Sequence, residues 1–340
     1  MKHYKLGTMT YSVAHFCVDF ACAFLMFRSG AAAGGFIAAV ILYNFCAFAL
    51  QMPFGAILDR LNRNSLFACL GCALVALSSL CMGVPLLLVT LAGLGNALFH
   101  VGGGIDVLNG SEHKCGALGV FVSPGAFGIY FGTILGKGQD LSIFVPVGLV
   151  LISAALLPLL CGPIHSRNAD VKRIEPPESG EVGALLLLFA VVMLRSFVGL
   201  IQSFPWKSQG SWGLILVCAV VLGKTAGGFL ADFIGIKRAA VISLGLSVVL
   251  YLFSANPYAG VTAVFLFNMS MPMTLWAAAK ILYNLKGFAF GMLTLALFIG
   301  YLPAQLGLGS SLTQPWVYAV FTAISLVLLY FGVRRVASRA

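Results

Sequence analysis

The chain has 340 residues, of which 60% are hydrophobic and only 9% charged, and its mean hydropathy is +1.02. That leaves too little polar surface to coat a water-soluble globule, so the surrounding solvent is lipid. The net charge of +10 does not indicate a nucleic-acid surface, because no soluble domain exists to present one.

An apolar helix of about 20 residues spans roughly 30 Å of hydrocarbon and satisfies its own backbone there. Twelve such segments are predicted, near 7–28, 33–57, 65–82, 86–104, 116–136, 142–161, 183–204, 211–231, 239–254, 258–279, 287–307 and 316–333. The expected fold is an all-α integral membrane protein whose twelve transmembrane helices form two pseudo-symmetric six-helix bundles, 1–162 and 182–340. A cytoplasmic linker, 163–181, joins them and carries mixed charges with Pro176 and Pro177. An even number of spans places both termini on one side. Fifteen of the twenty Lys and Arg residues fall on that side, which marks it as the cytoplasm. The Lys-rich start leads into a segment too long and too polar for a cleaved signal, so the first helix is expected to be an uncleaved anchor.

On the first span, His15 and Asp19 are one helical turn apart and share a face with Tyr11 and Cys22. After the second span comes a polar hinge, GAILDRLNR, with Gly55, Asp59, Arg60, Asn62 and Arg63. A second hinge, GFLADFIGIKR, follows 173 residues later with Gly228, Asp232, Gly235, Lys237 and Arg238. One hinge recurring at one offset between bilayer-length segments is the mark of two homologous membrane halves. Between the hinges lie Cys69 and Cys72, a CxxC on a membrane helix that reads as small apolar packing. All nine cysteines except Cys115 fall within predicted spans, which argues against a disulfide framework.

Span four offers Asn96, His100 and Gly103 at helical spacing. Asp106, Asn109, Glu112 and His113 follow as a solvated helix exit, or as loose cation ligands whose spacing fits no standard loop. On span seven Arg195 lies about 21 Å beyond Glu181, the same depth that Asp19 has beyond Lys5. Lys224 on span eight lies inward of the second hinge, where a long side chain snorkels. Asn268 on span ten falls within one residue of the repeat partner of Asn96, and Trp276 follows with Phe99, Phe204 and Trp206 as aromatic walls, Trp206 reading best as an interfacial anchor.

The first hinge resembles the cytoplasmic signature of the major facilitator superfamily, GxLaDrxGrkxxl. Gly55, Leu58, Asp59, Arg60 and Arg63 match it, and Asn62 stands where Gly is preferred. The resemblance implies that Asp59, Arg60 and Arg63 stabilise the outward-open state, the alternative being that these charges only fix topology; with Gly55, Lys224, Gly228 and Asp232 they make up the candidate cytoplasmic gate. HFCVD and GLGNALFH, with His15, Asp19, Gly93, Gly95, Phe99 and His100, resemble the fosmidomycin-resistance branch, although Val101 and three glycines stand where that branch has Pro. That likeness implies a monomeric transporter of a bacterial cytoplasmic membrane, moving a small-molecule solute against protons, with efflux as the direction.

An ionisable group at mid-bilayer is costly unless it faces a cavity or a partner. The candidate substrate and coupling set is therefore His15, Asp19, Asn96, His100, Arg195, Asn268 and Trp276. Asp19 exchanges a proton or substrate cation with His15 setting its affinity, and Arg195 pairs with it or holds a substrate anion; a structural ion pair is the alternative. Surplus interior cations favour an anionic or zwitterionic solute. The chain has no GxxxxGK[ST] loop, no HExxH and no placed nucleophile, so no enzyme, cofactor or metal site is expected. The alternatives to proton-linked efflux are an uptake facilitator and a sensor or assembly subunit that binds without cycling.

Overall fold

The computed structural model describes residues 2–29, 36–111, 114–138, 140–161, 179–334 and 336. The first sequence half contains α1 (Lys2–Arg28), α2 (Phe36–Asn44), α3 (Gln51–Leu61), α4 (Asn64–Ser78), α5 (Pro85–Ser111), α6 (Gly116–Val122), α7 (Gly125–Lys137) and α8 (Phe144–Cys161). The second contains α9 (Ser179–Ile201), α10 (Trp212–Ile234), α11 (Ile236–Leu252), α12 (Pro257–Asn268), α13 (Ser270–Ile281), α14 (Lys286–Gln305) and α15 (Pro315–Arg334). Among the described residues there is no strand, and eleven segments are long and apolar enough to cross a membrane. The remaining predicted span is α11, with 17 residues. Linker residues 163–178 lie outside the described residues, and α9 begins at Ser179, two residues before the linker was expected to end.

Three predicted spans are broken where proline removes a backbone donor. Pro53 cannot bond the Ala49 carbonyl, and the chain passes through a π turn at Phe45–Ala49 between α2 and α3. Pro272 likewise leaves the Asn268 carbonyl without its helical partner, and α12 gives way to α13 at Met269. Ser123 and Pro124 divide α6 from α7.

The chain forms two compact units. The first comprises 1–112, 124–173 and 284–295; the second comprises 113–123, 174–283 and 296–340. Each unit thus takes in a short piece of the other sequence half: α6 belongs to the second unit and the first turns of α14 to the first. Large apolar side chains such as Leu80, Phe144 and Phe233 are more than four-fifths exposed, as expected where lipid is the solvent.

Helices within a unit approach closely through glycine. In the first unit α7 presents Gly128, Gly132 and Gly136 at four-residue spacing, and a Cβ on each would strike the carbonyls of Phe16, Phe20 and Phe24 on α1. The hinges use glycine differently. Asn62 caps α3 in the left-handed region, with φ 49°, and Gly235, at the equivalent position 173 residues on, has φ 86°. A β-branched residue at φ 49° costs about 1–2 kcal/mol, whereas Gly is free there and Asn nearly so. Asn62→Val is therefore expected to lower the thermal unfolding midpoint in detergent and Asn62→Gly to leave it unchanged or raised; equal midpoints for the two variants would contradict this reading.

Candidate functional site

The first unit contains a buried polar cluster between α1 and α5. His15 and Asp19 lie one turn apart on α1, and Asn96 and His100 one turn apart on α5. His15 Nε2 is 3.2 Å from Asp19 Oδ2 and 2.8 Å from His100 Nε2. His100 Nε2 is 3.9 Å from Asp19 Oδ1, to which Asn96 Nδ2 donates at 2.8 Å. All four residues are buried. Phe99 closes the cluster on α5, its ring edge-on to His100 and tilted against His15. On the α7 side the wall is the backbone of Gly125, where a Cβ would overlap both Asp19 Oδ2 and His15 Nε2.

The protons in this cluster can be counted. His100 Nδ1 lies 2.9 Å from the backbone carbonyl of Asn96. A carbonyl only accepts, so that nitrogen carries the hydrogen and a neutral His100 offers its Nε2 lone pair to His15. His15 Nε2 must then donate, and its one proton lies between His100 Nε2 and the Asp19 carboxylate. Two acceptor atoms, His100 Nε2 and Asp19 Oδ2, share that single hydrogen.

A second network lies on the same two helices towards the N-terminus of α1. Asp106 accepts from Tyr11 Oη at 2.6 Å and from Asn64 Nδ2 at 2.8 Å, and it is 1% exposed. The solvated exit expected at Asp106 is thus corrected: α5 continues to Ser111 and buries this carboxylate against α1 and α4. Asn109 accepts from Lys286 Nζ at 3.0 Å, while Glu112 and His113 lie outside the described residues.

In the second unit Arg195 is buried on α9, and its guanidinium donates to Thr274 Oγ1 on α13 at 3.4 Å. The unit's two described carboxylates, Glu181 and Asp232, are remote or engaged: Glu181 is about 21 Å away along α9, and Asp232 is bound to α6. Also on α13, Trp276 is buried with its Nε1 lacking any described partner, and Lys280 Nζ lies 5.5 Å from the centre of its ring. Asn268 turns its amide back on its own helix, donating to the Val264 carbonyl at 2.8 Å. Lys224 donates to the Val122 carbonyl at 3.3 Å, across the break after α6, instead of snorkelling. Trp206 is likewise buried, stacked on Phe204 with its indole nitrogen on the Ser254 carbonyl, and is not an exposed anchor.

The two hinges do the same thing at the backbone. Asp59 accepts from the Gly287 and Phe288 amides at the start of α14, at 2.7 and 2.8 Å. Asp232 accepts from the Cys115 and Gly116 amides at the start of α6, at 2.6 and 2.9 Å. Each carboxylate fills the unsatisfied first N–H groups of a helix and meets the positive end of its dipole. Gly55 and Gly228 make the approach possible, since a Cβ on either would strike the backbone of Gly287 or of Cys115 and Gly116. Arg60 and Arg63 are exposed and make no described hydrogen bond or ion pair.

No protein-family model and no curated protein matches the chain. Solved structures do. A point variant of the E. coli fucose:proton symporter FucP superimposes with TM-score 0.61 at 14% identity, covering 96% of this chain and 98% of its own. FucP in the outward conformation gives TM-score 0.66 at 14% identity over 97% and 99%. The human organic anion transporter MFSD10 gives 0.64 at 14% identity over 98% and 100%. The fold is that of the major facilitator transporters. At these identities the likeness extends to the fold and not to the fosmidomycin-resistance branch.

Within this major facilitator fold the second hinge has a chemical reporter. Cys115 is buried beside Asp232, and burial, reinforced by that carboxylate, pushes its thiol well above the ordinary thiol range. Only a thiolate alkylates. Asp232→Asn removes the negative charge and weakens both caps, so Cys115 is expected to react with iodoacetamide several-fold faster at about pH 8, as read by mass spectrometry of its peptide. An unchanged rate would show that Asp232 does not hold this end of α6.

Proposed function

We propose that the chain is a secondary active transporter of a small organic solute, anionic or zwitterionic, working by alternating access with proton coupling. One observation carries the reading: a major facilitator fold that buries a carboxylate, Asp19, among two imidazoles and an amide in its spanning helices. Such a group is expensive in a membrane and is retained where it exchanges a proton or a ligand. His15, within hydrogen-bond reach of Asp19, and His100, within reach of His15, give the proton alternative resting places.

The anionic preference rests on Arg195. Five guanidinium donors with one long hydrogen bond leave a buried cation in need of a counter-charge, and a substrate carboxylate, sulfonate or phosphate supplies one. The unpartnered Trp276 indole N–H adds a neutral donor on α13. The printed activities of the structural neighbours, proton symport for FucP and organic anion transport for MFSD10, are consistent with both parts of the reading. The hinges serve as latches whose carboxylate caps break and re-form during the cycle. The Lys and Arg distribution supports a topology with both termini in the cytoplasm, and the branch resemblance favours a monomer of a bacterial cytoplasmic membrane and efflux over uptake.

Reconstituted into proteoliposomes, Asp19→Asn is expected to abolish the response of flux to a pH gradient while substrate counterflow persists. Arg195→Gln is expected to lower counterflow of an organic anion at least tenfold, about 1.4 kcal/mol of binding, with less effect on a neutral analogue. Flux that follows the pH gradient unchanged in Asp19→Asn removes the coupling role. Absence of counterflow for every solute in the wild-type protein favours a non-cycling sensor.

A further inference from the structure

The side chains that hold this proton between them also match a metal ion. A four-coordinate ion bound at about 2.0–2.1 Å holds its ligand atoms roughly 3.3 Å apart. The shortest separations between the groups straddle that distance: 2.8 Å between the two imidazole nitrogens, 3.2 Å from His15 Nε2 to Asp19 Oδ2 and 3.9 Å from His100 Nε2 to the other oxygen, Asp19 Oδ1; with one ligand atom from each residue, all lie within 4.8 Å. His15, Asp19 and His100 are, among the described residues, the one group of three His, Cys, Asp or Glu side chains whose ligand atoms converge in this way.

The surroundings are those of a metal site as well. His100 has its Nδ1 hydrogen on the Asn96 carbonyl, the arrangement that fixes the tautomer and aims the Nε2 lone pair at an ion. Asn96 also orients the carboxylate through Asp19 Oδ1, and its own buried Oδ1 has no partner, an acceptor free to take a metal-bound water. Gly125 removes the side chain that would otherwise overlap His15 Nε2 and Asp19 Oδ2. Two imidazoles and one carboxylate suit a divalent first-row transition ion and not Mg²⁺ or Ca²⁺, which require an oxygen shell.

We infer that His15 Nε2, His100 Nε2 and an Asp19 carboxylate oxygen form a three-donor site for a divalent ion of the zinc type, with one coordination position open to water or to an anionic group. Binding the ion removes the hydrogen from between His15 and its acceptors: His15 Nε2 becomes a ligand only as the tautomer that carries its hydrogen on Nδ1. The binding claim stands on this geometry alone. Its bearing on transport rests on the reading of Asp19 as the coupling group: an ion seated there blocks the proton and stops coupled flux.

The test uses the full chain, purified in detergent and stripped with chelator, with Zn²⁺ and Co²⁺ salts as probes. One equivalent of Co²⁺ is expected to bind with the intense visible absorption of a four-coordinate site. His15→Gln, His100→Gln and Asp19→Asn are each expected to weaken binding at least tenfold, while a Cys69→Ser/Cys72→Ser double variant binds as the wild type does. X-ray absorption on the Zn²⁺-loaded wild-type protein reads the ligands without any substitution, and is expected to give imidazole and oxygen scatterers at about 2.0–2.1 Å with no sulfur. No stoichiometric binding by the wild-type protein, a sulfur shell, or affinity surviving all three substitutions overturns the site. Proteoliposome flux with and without Zn²⁺ separates the two readings. Stoichiometric binding with unaffected flux keeps the metal site and removes the coupling role, whereas absent binding with a pH response lost in Asp19→Asn does the reverse.

Discussion

Hydrocarbon offers no hydrogen bonds, so a polar group inside a spanning helix finds its partners within the chain or goes without. Asp19, Asp59, Asp106 and Asp232 lie in helices long and apolar enough to cross a membrane, and each meets this constraint with two or more partners: Asp19 with His15 and Asn96, Asp106 with Tyr11 and Asn64, and Asp59 and Asp232 with pairs of backbone amides. None of these partners is a Lys or Arg side chain. The carboxylates are held by neutral dipoles and by imidazole, groups whose own desolvation costs far less than that of a second full charge. Arg195 is the exception that points outward from this economy, a buried cation whose described contact is one hydroxyl.

The repeat explains the scaffold and also isolates the chemistry. At the hinge offset of 173, Asp59 falls on Asp232, Gly55 on Gly228 and Asn62 on Gly235, and the backbone contacts correspond as well. Under the same offset His15, Asp19 and His100 fall on Leu188, Val192 and Met273. Positions that must bend or cap a helix have kept their chemistry in both halves. Those that form the polar cluster have an apolar counterpart, so the cluster is not required for building a six-helix half.

Much of this was legible in the sequence because hydropathy, hinge chemistry and helical spacing are local. The spans, the paired face of His15 and Asp19, and the tolerance of Asn62 for a left-handed backbone all follow from residues within a turn or two of one another. What escaped was the meeting of elements far apart in the chain. His100 is 85 residues from His15, and nothing in either segment states that their ring nitrogens meet; Asp106 passed for an exposed helix end because Tyr11 and Asn64 cannot be seen from its neighbours. The stripe Gly128, Gly132 and Gly136 was the available signal, since four-residue glycine spacing marks a close helix pair, and it is this pair that sets Gly125 against the cluster. The helix breaks were written in Pro53, Pro124 and Pro272, which a hydropathy window averages away.

The polar contacts fall into two kinds that suit different tasks. The α1–α5 cluster and the Tyr11–Asp106–Asn64 network join side chains that are buried on all sides, so breaking them exposes several unsatisfied groups at once and carries a heavy penalty. The hinge caps join a carboxylate, half-buried at Asp59 and exposed at Asp232, to two backbone amides at a helix start, and water replaces either partner at little cost if the helices part. The buried networks resist opening, and the hinge caps yield more readily. A latch made instead from an Arg–Asp pair would be harder to tune, because separating two full charges brings a larger and salt-dependent cost. The exposed positions of Arg60 and Arg63 fit that division: they are free to set topology while Asp59 and Asp232 hold the helix ends.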